Sequence, residues 1–213
     1  MSSTEVIFGN FAAFIHFMDT TNGTLICLIR HGETDWNASG RLQGREDIEL
    51  NNAGRQQAIL LAGYLQKSEW DLIISSPLKR ACESARIIAS QLSIPDPVII
   101  NQLHERDYGE ASGMLPEERR SRFPDGKFPG QEDFEDLRKR AMATISEIAT
   151  RYAGKRIIVI SHGAWINSVL YTLSSSEFGS FKTRLKNACI NLLNFSGNTW
   201  HVIFYNKTAD ELA

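Results

Sequence analysis

Leu25-Ile26-Cys27-Leu28-Ile29-Arg30-His31-Gly32-Glu33-Thr34 is the stretch that decides the fold of this chain. Five apolar residues run without alternation into a charged turn that contains glycine. Such a run predicts a strand buried on both faces, as in parallel sheets. Arg156 to Ser161 repeats the pattern and also exits into a His-Gly pair, His162-Gly163. Asp71 to Ser75 and Pro97 to Ile100 are two shorter strand candidates.

Helical patterns separate these runs. Asn52 to Lys67 carries Ala58, Leu61 and Leu65 at helical spacing. Ser76-Pro77 reads as an N-cap followed by Pro at the first helical position. The helix it opens shows Ala81, Ala85, Ile88 and Leu92 on one face. Asp133 to Tyr152 aligns Phe134, Leu137, Ala141, Ile145, Ile148 and Tyr152, with acidic residues at the front end. Gly163 to Leu173 reads as a returning helix. Cys189 to Phe195 and Trp200 to Tyr205 flank Gly197-Asn198 as a closing hairpin. Strands alternating with helices predict an α/β fold, a three-layer α/β/α sandwich on a mainly parallel central sheet with an antiparallel element near the end.

At 213 residues the chain suits one catalytic domain, placed at residues 24–213, with residues 1–23 as an extension. The formal charge of −2 lacks the electrostatic footprint of a nucleic-acid binder. Val6 to Met18 is apolar, but it is too short to span a bilayer and no Lys or Arg precedes it, so neither a membrane span nor a secretory signal is expected. Met18 is a candidate natural start; alternatively the segment packs on the domain or on a second subunit, which makes a homodimer a candidate assembly. Cys27, Cys82 and Cys189 are scattered and form no CxxC pair, as in a cytoplasmic protein with reduced thiols.

Ligands of open α/β sheets bind at the carboxyl ends of the strands. Those exits deliver Arg30-His31-Gly32, then Arg80 early in the second helix, then Glu105-Arg106, then His162-Gly163. Singly, each has a structural explanation: a histidine at a strand end is usually a hydrogen-bonded scaffold residue, and Arg80 or Glu105 alone is a surface charge. Together, two histidines, two arginines and a carboxylate at one sheet edge suit phosphoryl transfer. Negative charge spreads over the equatorial oxygens of the group in flight, and fixed guanidiniums stabilise it. His31 is the candidate nucleophile, kept neutral by the arginines. His162 would donate a hydrogen bond to the group, and Glu105 would protonate the leaving oxygen and then activate water. The histidines are conceivable metal ligands, but no HExxH, CxxC or clustered-carboxylate pattern accompanies them, and the arginines would repel a divalent cation. No glycine-rich nucleotide fingerprint is present, so neither a metal nor a bound cofactor is expected.

The Arg-His-Gly-Glu-Thr stretch with Trp36-Asn37, Arg41, Gln43-Gly44, Ser-Ser-Pro-Leu-Lys-Arg up to Arg80, Glu105-Arg106 with Tyr108-Gly109, and Ser161-His162-Gly163 together resemble the histidine phosphatase superfamily, the phosphoglycerate-mutase-like group. The resemblance runs from about Leu25 to Tyr205. It implies that His31 is phosphorylated and Glu105 is the proton donor, that Arg30, Arg80 and His162 complete the phosphate pocket, and that Asn37, Gln43 and Gly44 line its entrance. Gly163 would add a backbone donor, and Asn187 would brace the site.

The family holds phosphatases and mutases. Cofactor-dependent mutases usually carry a longer insertion after the Glu-Arg-x-Tyr-Gly stretch, where this chain has only Ala111 to Gly130. Where they tend to have a Gly-Trp arrangement, this chain reads Leu42-Gln43-Gly44-Arg45. Both departures favour hydrolysis, so the expected activity is that of a metal-independent phosphatase acting on small phosphate monoesters. Arg106 and Tyr108 match positions that mutases use for a carboxylated substrate, which keeps a phosphoglycerate mutase as the alternative. A non-catalytic phosphate-binding protein is disfavoured, since His31 and Glu105 are both present.

Overall fold

A computed structural model describes residues 23–212. The apolar run Val6 to Met18 lies outside them.

Among the described residues six strands form one sheet in the order β3-β2-β4-β1-β5-β6. They are β1 (Thr24–Arg30), β2 (Leu72–Ser75), β3 (Val98–Ile99), β4 (Arg156–Ser161), β5 (Ile190–Ser196) and β6 (Thr199–Lys207). The first four run parallel, β1 beside β4 with Cys27 opposite Ile158 and Leu28 opposite Val159. β5 is antiparallel to both β1 and β6, so it alone opposes the common direction. The hairpin expected at Gly197-Asn198 is β5-β6, and both residues adopt the positive φ that such a two-residue turn requires.

Among the described residues there are seven α-helices: α1 (Asp35–Ala38), α2 (Asn52–Leu65), α3 (Lys79–Leu92), α4 (Pro116–Arg122), α5 (Phe134–Arg151), α6 (Gly163–Leu173) and α7 (Ala209–Leu212). The unbroken apolar runs are explained by cover on both faces. Leu25, Cys27 and Ile29 of β1 pack with α2 and α3, while Ile26 and Leu28 pack with α5 and α6. This is the three-layer α/β/α sandwich that the alternating pattern implies.

The helix after β2 starts two residues later than the sequence suggests. Its N-cap is Leu78, not Ser76; the Leu78 side chain makes no cap bond, and Asp47 Oδ1 accepts from Lys79 N (2.7 Å). The Ser76 hydroxyl is instead engaged with His162, 86 positions away, a contact that local sequence does not encode. β3 is a two-residue exposed edge strand, shorter than the Pro97–Ile100 run suggests. Short edges limit unwanted strand pairing.

The connection from β1 passes over one face and that into β4 over the other. The carboxyl ends of these neighbours therefore open into a crevice, the place where such sheets bind ligands.

Candidate active site

That crevice is a cavity of about 770 Å³, walled by Arg30, His31, Asn37, Gln43, Gly44, Arg80, Glu105 and Gly163 among others. His31 leaves β1 and is fixed from all sides. Its backbone N–H donates to the Ser161 carbonyl (3.1 Å), and its carbonyl accepts from Ala188 N (3.2 Å). Behind it, Gly32 and Gly54 meet so closely that a Cβ on either would strike the other strand of backbone. Two glycines thus let the N-terminus of α2 press the His31 turn into place.

The ring of His31 has a defined tautomer. Its Nε2 accepts from Arg80 Nε (3.2 Å), so the proton must sit on Nδ1, which faces the Gly32 carbonyl at 2.6 Å. Burial, followed by the charges of Arg80 and Arg30, holds its pKa well below the ordinary histidine value. The ring is therefore a neutral imidazole whose lone pair lies on Nε2.

Arg80 is almost wholly buried at the start of α3, and its other nitrogens donate to the carbonyls of Glu46 (2.6 Å) and Gly44 (2.8 Å). Burial pulls its pKa down to about 10, and it remains a cation at neutral pH. Arg30 donates to the Leu185 carbonyl at 2.6 Å. His162 lies beneath the wall, its ring centre 5.2 Å from that of His31. Its Nε2 meets Ser76 Oγ at 2.7 Å. Ser76 Oγ also accepts from Leu78 N; we assign its own proton to His162 Nε2, which places the ring proton on Nδ1. Burial and then Arg80 hold His162 well below the ordinary histidine pKa as well.

Glu105 reaches the cavity from the segment after β3 and is 8% exposed. Its Oε1 accepts from Arg106 N (2.9 Å) and Trp165 N (3.1 Å), and its Oε2 from Ala164 N (3.1 Å). The last two are free N–H groups of the first turn of α6, a natural seat for a carboxylate. Gly163 leaves the space between Arg30 and Glu105 open, since a Cβ there would lie 3.5 Å from Arg30 Nε and 3.8 Å from Glu105 Oε2.

The entrance residues form one network. Asn37 Oδ1 accepts from Thr34 Oγ1 (3.1 Å) and from Asn187 Nδ2 (3.1 Å), and Gln43 Oε1 accepts from Thr34 Oγ1 (3.0 Å). Asn187 Nδ2 also approaches the His31 carbonyl (3.3 Å). Arg106 is the sequence-predicted binding residue that the structure does not bring to the cavity. Its Nε donates to the Glu132 carbonyl (2.9 Å) and its guanidinium lies over the Tyr108 ring. Sequence reasoning missed Ser76, Asn167 and Arg184. Asn167 had one readable signal, its position one helical turn after Gly163, on the same face. Among the described residues no group of three or more His, Cys, Asp or Glu side chains is placed to hold a metal ion.

Fold and site together define an enzyme of phosphate esters. The profile of the histidine phosphatase superfamily, branch 1, matches residues 26–208, and the chain belongs to that superfamily. It is 40% identical over 183 residues to the uncharacterized phosphatase PhoE of Bacillus subtilis, covering 86% of this chain and 94% of that one. It is 33% identical over 190 residues to a metal-independent phosphoserine phosphatase of Arabidopsis thaliana, covering 83% of this chain and 79% of that one. Among solved structures, a phosphoserine phosphatase of Entamoeba histolytica in complex with 3-phosphoglyceric acid superimposes with a TM-score of 0.75 at 30% identity, covering 89% of this chain and all 100% of that one.

Proposed function

We propose that the chain hydrolyses small phosphate monoesters, without a metal ion, through a phosphohistidine at His31. One observation carries the reading: two buried nitrogens of the site, Arg30 Nε and His162 Nδ1, have no hydrogen-bond partner among the described residues. A buried donor left unmet costs about 1–3 kcal/mol, and native proteins rarely tolerate it without function. A phosphoryl group beside His31 Nε2 satisfies both donors at once.

The steps follow from the groups present. His31 Nε2 attacks phosphorus, the bond to the alcohol oxygen breaks, and the Glu105 carboxyl gives that oxygen its proton. Arg30, Arg80 and His162 hold the three equatorial oxygens. Glu105, now a carboxylate, takes a proton from water as the water oxygen attacks phosphorus. The phosphorus–nitrogen bond breaks, phosphate departs, and both side chains return to their starting forms.

Of the two residues behind the mutase alternative, Tyr108 lines the cavity, whereas Arg106 Nε donates to the Glu132 carbonyl. In the short segment that follows, Arg119 donates to the Met114 carbonyl and Arg122 pairs with Glu110, so neither is directed at the cavity by its own contacts. Three free buried cysteines support a cytoplasmic location, and no described helix is long and apolar enough to cross a membrane. Assembly as a homodimer belongs to the same proposal.

The test is chemical trapping. Quenching turnover without acid should leave label on His31, stable to alkali and lost in acid. His31→Ala should show neither label nor turnover. Activity should survive EDTA, and vanadate, which adopts the five-coordinate geometry, should compete with substrate. Near-normal turnover by His31→Ala, or metal-restored activity after chelation, would refute the proposal.

A further inference from the structure

The far wall of the cavity is more cationic than a simple phosphate ester requires. Arg30, Arg41, Arg80 and Arg184 line it, against the single carboxylate of Glu105. The first three donate to backbone carbonyls, of Leu185, Gly113 and Gly44, rather than to acids. Lys186, also in the wall, is neutralised by Glu211 at 2.6 Å. Arg184 is exposed, and its side chain makes no hydrogen bond or ion pair with any described residue. A phosphate monoester dianion offsets two of the four guanidinium charges, and Glu105, which meets the substrate as the protonated donor, offsets none. Positive charge is left over.

Arg184 sits immediately before Leu185, whose carbonyl holds Arg30, so it flanks the phosphate grip without belonging to it. Asn167 of α6 lines the same cavity. Asn167 Nδ2 donates to the carbonyl of Thr183, the residue before Arg184, at 2.8 Å. That bond fixes the amide's orientation and leaves Oδ1 as a buried acceptor with no partner. A cation and a buried acceptor that line one cavity, neither with a partner among the described residues, fit a ligand fragment that pairs an anion with a neighbouring donor.

Resting on the phosphatase reading above, we propose that Arg184 is a specificity-determining residue. It binds a carboxylate on the alcohol portion of the substrate, while Asn167 Oδ1 accepts from an adjacent ammonium or hydroxyl. A guanidinium fork matches a planar carboxylate through two parallel bonds. A site built around such a group discriminates against analogues that lack it, because its own polar atoms are then left unpaired.

Matched esters give the test. O-phosphoserine and O-phosphoethanolamine differ only in the carboxylate, and 3-phosphoglycerate and glycerol 1-phosphate differ in carboxylate against hydroxymethyl. Wild-type kcat/KM should favour the carboxylated member by about 10- to 100-fold, the scale of one charge-assisted hydrogen bond. Arg184→Gln should bring the ratio near one, chiefly through KM, and Arg184→Lys should restore part of it. A wild-type ratio near one, a ratio unchanged in Arg184→Gln, or a stronger preference for a bisphosphorylated ester over a carboxylated one would overturn the inference. Those results leave the phosphatase reading standing. Failure of p-nitrophenyl phosphate to label His31 removes that reading, and the inference with it.

Discussion

Arg80 Nε lies 3.2 Å from His31 Nε2 and donates to the lone pair that would attack phosphorus. One contact thus sets the tautomer, keeps the ring neutral by its charge, and covers the nucleophile. An arriving phosphoryl oxygen offers the guanidinium a stronger, charged acceptor and uncovers the lone pair.

This coupling predicts a linked change in rate and pH dependence. Removing a transition-state donor costs about 10²–10³-fold in kcat, so Arg80→Gln should fall in that range. Because Arg80 is a cause of the depressed His31 pKa, its loss lets that pKa rise. The acid limb of kcat/KM, which reports the free enzyme, should lie well below pH 6.5 in the wild type and move upward in Arg80→Gln. An acid limb that stays in place would break the link.

The two histidines are predicted to share one tautomer for opposite purposes. Both should be neutral and protonated at Nδ1 at pH 7, His31 to expose a lone pair on Nε2 and His162 to present a donor. Nitrogen-15 shifts of labelled enzyme read this directly. Ser76→Ala removes the partner of His162 Nε2 and frees the ring to protonate there. Its kcat should fall about tenfold or more, with a mixture of tautomers at His162.

Burying neutral histidines also makes the fold sensitive to acid. The folded pKa values of His31 and His162 are depressed, and half-buried His104 is lowered too. Above about pH 6.5, the ordinary histidine value, these groups are neutral in both folded and unfolded chains and add no pH dependence. As pH falls below it, the unfolded chain takes up protons that the folded one refuses, so stability declines until the folded values are reached. Each titrating histidine contributes about 1.4 kcal/mol per pH unit. Urea unfolding between pH 8 and pH 5 should show this slope, and the pair His31→Gln and His162→Gln should flatten it.

How much of this was legible in the sequence follows from which contacts are local. Leu25 to Ile29 and Arg156 to Ser161 announce two central strands because cover on both faces demands unbroken apolar runs. Their exits carry His31 and His162, and the strand-end rule brings them together. Ser76 misleads as a helix cap because its true partner, His162, is distant in the chain. Arg106 misleads because nothing local records that the Glu132 carbonyl captures it. Arg184 lies on an irregular stretch with positive φ at Ser175, Ser176 and Phe181, where no periodicity shows which side faces the cavity.

The last prediction concerns Glu105 as the proton donor. Oε1 carries two backbone N–H bonds and Oε2 one, so Oε2 keeps a position free for the leaving oxygen. In Glu105→Gln the amide oxygen can retain the Trp165 and Arg106 bonds, but its NH₂ then faces the Ala164 N–H. A modest loss of thermal stability should accompany the substitution, and it must be measured so that misfolding is not mistaken for lost catalysis. General acid catalysis is worth about 10²–10⁴-fold, but only where the departing oxygen needs a proton. The burst of phosphoenzyme formation should therefore slow severely with an alkyl phosphate. It should slow much less with p-nitrophenyl phosphate, whose leaving group is stable as an anion. Dephosphorylation loses its base with either substrate, so steady-state rates blur the contrast and only the burst resolves it. Equal slowing of both bursts would make Glu105 a residue that positions the substrate, and Glu33 or Asp107 the next donor to test.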